Sequence, residues 1–257
     1  MGARLVYAPP FAMRLRVVTW NIHKGIGGID RRYRLERTAA VLAALKPDIA
    51  LLQEVAEDMP RCGRDNQLEE LSKALEMRHV AFGAEHRFRE GGYGNAVLSR
   101  FPLTDSTRID LTIGKRKQRG LVKTRAHAKL EHGTRSVLVF NLHLGLSGSE
   151  RGTQLERFLE CHPFAHTHHD TPLIVGGDFN DVWASLGRRF LEPAGFVRVG
   201  KLQATFPAAL PLRPLDGIWI RGGLSVVNAH VVRTGLATSA SDHLPIFAEL
   251  EFAQVST

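Results

Sequence analysis

Short runs of apolar and β-branched residues recur along the whole chain, separated by glycine, proline and asparagine. Nine of these runs have the length and the boundaries that are typical of β-strands. They are residues 15–20, 49–53, 96–99, 121–128, 136–142, 173–177, 217–220, 224–232 and 246–252. Residues 49–52 and 172–175 carry no polar side chain, which predicts strands that are buried on both faces.

Helical periodicity occurs between some of these strands. Leu35, Ala39 and Leu42 share one helical face, and residues 67–75 and 149–160 predict two further helices, the last with a serine available as N-cap. No repeat, long linker or low-complexity block divides the chain. Many strands with a few helices between them predict two sheets packed face to face, with the helices outside, in one domain.

Polar side chains end or begin several of the predicted strands. Each of them alone has an ordinary explanation as a turn residue, a cap or a hydrogen-bonded core residue. Together they combine carboxylates, amides and imidazoles at positions where a rigid scaffold presents its chemistry. The set is Asn21, Glu54, His143, Asp178, Asn180, Asp216, Asp242 and His243. Oxygen ligands suit Mg²⁺, and imidazole exchanges protons near neutral pH, so the set indicates metal-assisted chemistry on a phosphoester.

The charge balance adds a second indication. The net charge of +8 favours a polyanionic partner such as nucleic acid or an anionic lipid surface, although scattered charge for solubility explains it equally well. The densest basic run, residues 115–119, lies between two predicted strands and predicts a basic loop. No apolar run reaches the roughly 20 residues that span a bilayer. Cys62 and Cys161 are too few for a disulfide framework, and a reducing, cytoplasmic location is the expectation.

The polar positions lie in short motifs whose order resembles that of the endonuclease/exonuclease/phosphatase superfamily, the DNase I-like proteins. The motifs are Trp20-Asn21-Ile22-His23, Leu52-Gln53-Glu54-Val55, Asn95-Ala96-Val97-Leu98-Ser99, Asn141-Leu142-His143-Leu144, Gly177-Asp178-Phe179-Asn180, Leu215-Asp216 and Ser241-Asp242-His243. The resemblance extends over residues 14–252, the core of a single domain of residues 1–257. It is greatest to a poorly characterised bacterial group of this superfamily.

The resemblance implies an α/β (α+β) fold, a four-layer αββα sandwich with the site at one edge of the two sheets. It implies that Glu54 is the main ligand of Mg²⁺, for which Mn²⁺ could substitute, with Asn21 beside it and Asp242 as a further carboxylate near the metal. Asn95, at the start of its motif, and Arg119, at the end of the basic run, are predicted to contact the substrate.

The same resemblance assigns the catalytic roles. It implies that Asp178 and Asn180 position the attacking water and the phosphate, and that His243 faces the phosphate and is oriented by Asp216. His143 is the candidate general acid. The general base is left open between Asp178 and His243.

Three functions therefore remain open. The first is a Mg²⁺-dependent phosphodiesterase that acts as a monomer on nucleic acid. The second has the same chemistry but a phospholipid or a small phosphoester as substrate, as in sphingomyelinases. The third is a non-catalytic binding protein that has kept the fold, which the presence of every polar site residue disfavours.

Overall fold

The computed structural model describes residues 14–130 and 133–253, and these residues form twelve strands. In chain order the strands are β1 (Arg14–Asn21), β2 (Ile49–Glu57), β3 (His79–Arg87), β4 (Gly92–Ser99), β5 (Leu103–Asp110), β6 (Gly120–Leu130), β7 (Gly133–His143), β8 (Leu173–Asp178), β9 (Val197–Arg198), β10 (Asp216–Arg221), β11 (Leu224–Val231) and β12 (Ile246–Phe252). All nine strands predicted from the apolar runs are among them.

The strands form two mixed sheets of six. The first sheet has the order β11-β12-β1-β2-β4-β3, and the second has the order β5-β6-β7-β8-β10-β9. Each sheet contains one parallel pair at its centre, β1 with β2 and β7 with β8, and its other neighbours are antiparallel. The predicted pair of mixed sheets is thus confirmed.

The helices lie on the two outer faces of this pair of sheets. They are α1 (Leu35–Leu45), α2 (Gln67–Ala74), α3 (Gly148–Glu160), α4 (His162–Ala165) and α5 (Gly235–Ala240). Apolar residues of α1, α2 and α5 pack with the first sheet, and those of α3 pack on the outer face of the second. The layers therefore alternate as predicted, αββα. Across the described residues, no helix is both long and apolar enough to cross a bilayer.

The two faces of the second sheet bury different side chains. Its inner face packs against the first sheet, and Leu51 there comes so close that any side chain at Gly176 would meet it at 2.6 Å. On the outer face, the rings of Phe140 and Phe158 meet edge to face, with 5.1 Å between their centroids. Such packing holds β7 and β8, which carry polar residues at their ends, in a fixed position.

Three missed strands and one shifted helix boundary are among the differences from the sequence prediction. β3, β5 and β9 are edge strands that were not predicted: burial alternates in β3, β5 is exposed over most of its length, and β9 has only two residues. Helix α3 begins at Gly148 rather than at Ser149. Its N-cap is Ser147, whose hydroxyl accepts a hydrogen bond from the Glu150 amide at 3.3 Å.

Gly177 is a position where only glycine fits. Its φ of +146° lies in the region that residues with a side chain avoid. A Cβ atom there would come within 1.9 Å of the Leu142 carbonyl oxygen on the neighbouring strand. The glycine therefore lets β8 approach β7 closely, directly before Asp178.

We expect Gly177→Ala to lower the free energy of unfolding by roughly 3 kcal/mol, because it adds a steric clash to an unfavourable backbone conformation. Gly223→Ala is the matched control, since its Cβ would meet only Ala253 at an ordinary 3.5 Å. Urea unfolding followed by circular dichroism measures both. Equal stability of the two variants would contradict this account of Gly177.

Candidate functional site

The polar strand ends predicted from the sequence meet at one edge of the two sheets. In the first sheet Asn21 is the register partner of Gln53, the neighbour of Glu54. In the second sheet His143 and Asp216 are both register partners of Asp178. The pairing therefore brings residues that are far apart in the sequence to one place.

Asp178 is the carboxylate that the other side chains surround, and only 1% of its surface is exposed. Its Oδ2 accepts a hydrogen bond from the Asn21 amide at 3.1 Å, and its Oδ1 accepts one from the backbone N–H of Asn180 at 2.8 Å. His143 Nε2 and His243 Nε2 lie 3.6 and 3.8 Å from the same Oδ2. One buried carboxylate oxygen is thus adjacent to two imidazoles and one amide.

His243 is held in a charged state by its neighbours. Its Nδ1 lies 2.9 Å from Asp216 Oδ2, which also accepts a hydrogen bond from the Thr205 hydroxyl at 2.5 Å. Burial alone would lower the pKa of His243, but the charges of Asp216 and Asp178 outweigh burial and raise this pKa to about 10. The ring is therefore an imidazolium at neutral pH.

Hydrogen bonds anchor the segment that carries His243 to strand β1. The Ser241 hydroxyl donates to the Asn21 carbonyl at 2.7 Å and accepts from the His243 amide at 3.2 Å. The Trp20 indole donates to the His243 carbonyl at 2.8 Å. The apolar end of β1 and the Ser241-Asp242-His243 segment are therefore positioned together.

A second buried cluster holds His143. Its Nδ1 lies 3.2 Å from Glu85 Oε2 and 3.1 Å from Arg119 Nη1, and Arg119 forms an ion pair with Glu85 at 3.3 Å. The side-chain amide of Asn95 donates to Glu85 Oε1 at 2.9 Å. Asn95 and Arg119 thus lie behind His143, with 1% and 2% of their surfaces exposed. Their direct contact with substrate stays a prediction.

Glu54 lies in a bulge of β2, and its carboxylate forms an ion pair with the Lys24 ammonium. Both residues have a positive φ, 56° for Glu54 and 60° for Lys24, which is uncommon for residues with a side chain and frequent at functional sites. Burial favours the neutral acid, yet the nearby ammonium holds the pKa of Glu54 down to about 2. Glu54 is therefore a carboxylate that remains ionised and binds a cation.

The donor groups differ in how well they suit a hard metal ion. Asp178, Asp216 and His243 offer ligand atoms within 4.8 Å of one another. In this group Asp216 Oδ2 is already engaged by His243 Nδ1 at 2.9 Å and by the Thr205 hydroxyl at 2.5 Å. Glu54 offers an ionised oxygen pair where a cation already lies, which fits Mg²⁺ or Mn²⁺. Asp242 is partly exposed, and its Oδ1 lies 3.6 Å from His23 Nδ1.

Three residues of the site were missed as functional candidates by the sequence reasoning. Lys24 and Thr205 are buried partners of predicted site residues, and so is Glu85. Lys24 lies only three residues after Asn21, and this closeness to a predicted site residue was the one feature of the sequence that could have marked it. Thr205 and Glu85 lie in no predicted strand and in none of the motifs, so no local pattern marked them as functional candidates.

Comparison with known proteins agrees with this geometry. A sequence model described as the Endonuclease/Exonuclease/phosphatase family matches residues 18–243. The chain belongs to the endonuclease/exonuclease/phosphatase family. The matched residues include every candidate site residue from Asn21 to His243, so the resemblance seen in the motifs is confirmed.

Relatives of the family match almost the whole chain. The uncharacterized protein YbhP of Escherichia coli K12 is 30% identical over 251 residues, which cover 91% of this chain and 95% of YbhP. An endonuclease/exonuclease/phosphatase from Beutenbergia cavernae has a TM-score of 0.80 at 24% identity, covering 94% of this chain and 72% of that chain. A mannosyl-6-phosphatase from Bacteroides thetaiotaomicron has a TM-score of 0.71 at 18% identity, and the match covers 93% of this chain and 100% of that chain. These two structures support the family fold.

We expect Asp216→Asn to lower the pKa of His243 well below its native value, because burial then acts without its principal counter-charge. Histidine NMR titration measures this directly. In the native protein the pKa is raised from 6.5, so the stabilisation from the ion pair is complete below pH 6.5 and is lost as pH rises through about 10.

Thr205→Val is the matched control for that titration. It removes a hydrogen bond to the same Asp216 oxygen but leaves the negative charge, so His243 should remain protonated at neutral pH. An unchanged titration in Asp216→Asn would show that Asp216 is not the group that charges His243.

Proposed function

We propose that the protein is a divalent-metal-dependent phosphodiesterase that cleaves phosphodiester bonds of nucleic acid by direct attack of water. Family membership supports phosphoester chemistry. The observation that carries the proposal is the convergence of His143 Nε2 and His243 Nε2 on Asp178 Oδ2, at 3.6 and 3.8 Å. Two imidazoles that can donate hydrogen bonds, next to one carboxylate that can act as a base, are suited to the transfer of a phosphoryl group to water.

The charge of His243 favours Asp178 as the general base. An imidazolium with a pKa of about 10 cannot accept a proton from water at neutral pH, whereas it can donate a hydrogen bond to a phosphoryl oxygen. Asp178 keeps its carboxylate oriented through Asn21 and Asn180. In our proposal Asp178 orients the water and takes its proton, and His243 stabilises the charge on the phosphoryl group.

His143 is our candidate for protonating the leaving oxygen. Glu85 and Arg119 fix its Nδ1 side, so that Nε2 is the nitrogen directed at Asp178 and the reacting groups. A positioned imidazole typically contributes a factor of about 10² to 10⁴ to such a proton transfer. Asn180 lies on the same side of the site, where its side-chain amide donates a hydrogen bond to the Leu144 carbonyl at 2.9 Å.

Glu54, with Asn21 and Asp242, would hold the divalent ion in this proposal. When bound, the ion would withdraw charge from the phosphoryl oxygens and favour loss of the leaving oxygen. Because the Lys24 ammonium and the ion carry like charge, we expect Lys24 to move away from the Glu54 carboxylate and to become available to the substrate phosphate. The net charge of +8 supports a polyanionic substrate, for which nucleic acid is our choice.

We expect Glu54→Gln and His243→Ala each to reduce hydrolysis of a labelled DNA oligonucleotide and of bis(4-nitrophenyl) phosphate at least 100-fold in Mg²⁺, and EDTA to abolish it. Glu57→Gln, on the same strand, and the exposed His230→Ala are matched controls and should retain activity within about twofold. Steady-state kinetics on variants of equal thermal stability measure the effect.

Several results would contradict the proposal. Full activity in EDTA would show that the reaction does not need a divalent metal. Activity that survives both substitutions would show that the reaction takes place at another site. Hydrolysis of sphingomyelin or of a sugar phosphate, while DNA and RNA are not hydrolysed, would show that nucleic acid is not the substrate. Tight nucleic-acid binding without turnover in Mg²⁺ or Mn²⁺ would indicate a binding protein.

A further inference from the structure

An open cavity of about 710 Å³ lies beside the candidate site, between the edges of the two sheets. Residues 84–87 at the end of β3, Arg108 and Asp110 of β5, and residues 115–118 of the loop before β6 line it. Gly83 lets the edges meet here, because a Cβ atom at that position would lie 3.3 Å from the Arg108 stem and 2.7 Å from Val122. The cavity is thus built by the fold.

The lining of this cavity carries an excess of positive charge. Its cationic members are Arg87, Arg108, Lys115, Arg116 and Lys117, against the two carboxylates Glu85 and Asp110. Asp110 pairs with Arg108 at 3.4 Å, and Glu85 is already paired with Arg119 at 3.3 Å. Within residues 14–130 and 133–253, Arg87, Lys115 and Lys117 have no carboxylate at ion-pair distance. These three cations are free for an anion.

One aromatic ring, that of Tyr93, links the lining of the cavity to the candidate metal ligand. Lys117 Nζ lies 5.4 Å from the centroid of Tyr93, and Lys24 Nζ lies 4.6 Å from the same centroid. Lys24 in turn pairs with Glu54. Partial loss of solvent and the nearby Arg119 lower the pKa of Lys117, as expected for a cation that lacks a counter-charge. A bound anion here would be a near neighbour of the reacting phosphate.

An aromatic side chain stands at the rim of the same cavity. Phe88 is 47% exposed, and it meets His86 edge to face with 4.4 Å between the ring centroids. Phe88 directly follows Arg87, a cationic member of the lining. Exposed rings next to phosphate-binding cations are the usual combination in proteins that bind single strands, because bases stack on the rings.

We propose that this cavity binds a phosphate of a single-stranded nucleic acid next to the scissile bond, and that Phe88 stacks on a neighbouring base. The proposal rests on the proposed nucleic-acid substrate and names the subsite that would recognise it. Except for Ala84, the lining residues are charged or polar, and Arg87, Lys115 and Lys117 among them are cations that suit a phosphate. A strand of phosphates and bases matches both the cations and the ring.

The test measures binding without catalysis. Fluorescence anisotropy of a labelled oligothymidine is recorded in EDTA at several NaCl concentrations. We expect Arg87→Gln/Lys115→Gln to weaken binding at least tenfold at 50 mM salt and to reduce the slope of log affinity against log salt by about 1. Arg78→Gln/Lys129→Gln should leave both values unchanged, because it removes one exposed cation directly before β3 and another near the end of β6, neither of which lines the cavity.

A second arm tests the stacking. Phe88→Ala should weaken binding of oligothymidine at least fivefold and binding of an abasic oligomer of equal length less than twofold, because only the former has bases to stack. Thermal unfolding verifies that all variants are folded. The readout needs no turnover, so an inactive protein that shows this pattern would refute the proposed catalysis and leave the subsite intact.

Three results would overturn the proposal. The first is wild-type affinity in Arg87→Gln/Lys115→Gln. The second is an equal loss in the control pair, which would indicate general surface charge. The third is undiminished DNA binding together with lost binding to phosphatidylserine vesicles, which would assign the cavity to a lipid surface. Equal losses for both oligomers in Phe88→Ala would overturn the stacking.

Discussion

The buried charge of Asp178 is the constraint on which the whole site depends. A carboxylate that is removed from water is costly unless hydrogen bonds and opposite charge compensate it. Asn21 of the first sheet, the backbone of Asn180 and the imidazolium of His243 supply that compensation. Because these groups come from both sheets, the sheets must end at one common edge, and the packing beneath them keeps that edge in place.

Two further pairs of opposite charges lie at this edge of the sheets. Lys24 keeps Glu54 ionised, and Asp216 keeps His243 protonated. The site thus combines a carboxylate that is ready for a cation with an imidazolium that is ready for an anion. Neither state is the one that burial alone would favour, so each depends on a partner far away in sequence or on a loop with an unusual backbone conformation. This is the arrangement that a phosphoester with a metal ion requires.

The sequence predicted the fold and the polar strand ends because both depend on local patterns. Apolar runs such as 49–52 and 172–175 define the central strands, and an aspartate or histidine directly after such a run is conspicuous. β5 escaped prediction because it is an exposed edge strand without an apolar run. Thr205 and Glu85 could not be predicted, because their contacts with Asp216 and His143 arise from tertiary packing and not from a local sequence pattern.

The most direct test of the account is anomalous diffraction from crystals grown with Mn²⁺, which locates the ion independently of any turnover. Our account predicts a peak within bonding distance of the Glu54 carboxylate, with the Lys24 ammonium moved away from it. Two results would contradict it. One is a peak only at a second, exposed group of possible ligands, formed by His168, His169 and Asp170, and the other is a peak at Asp178, Asp216 and His243 with Lys24 still paired to Glu54.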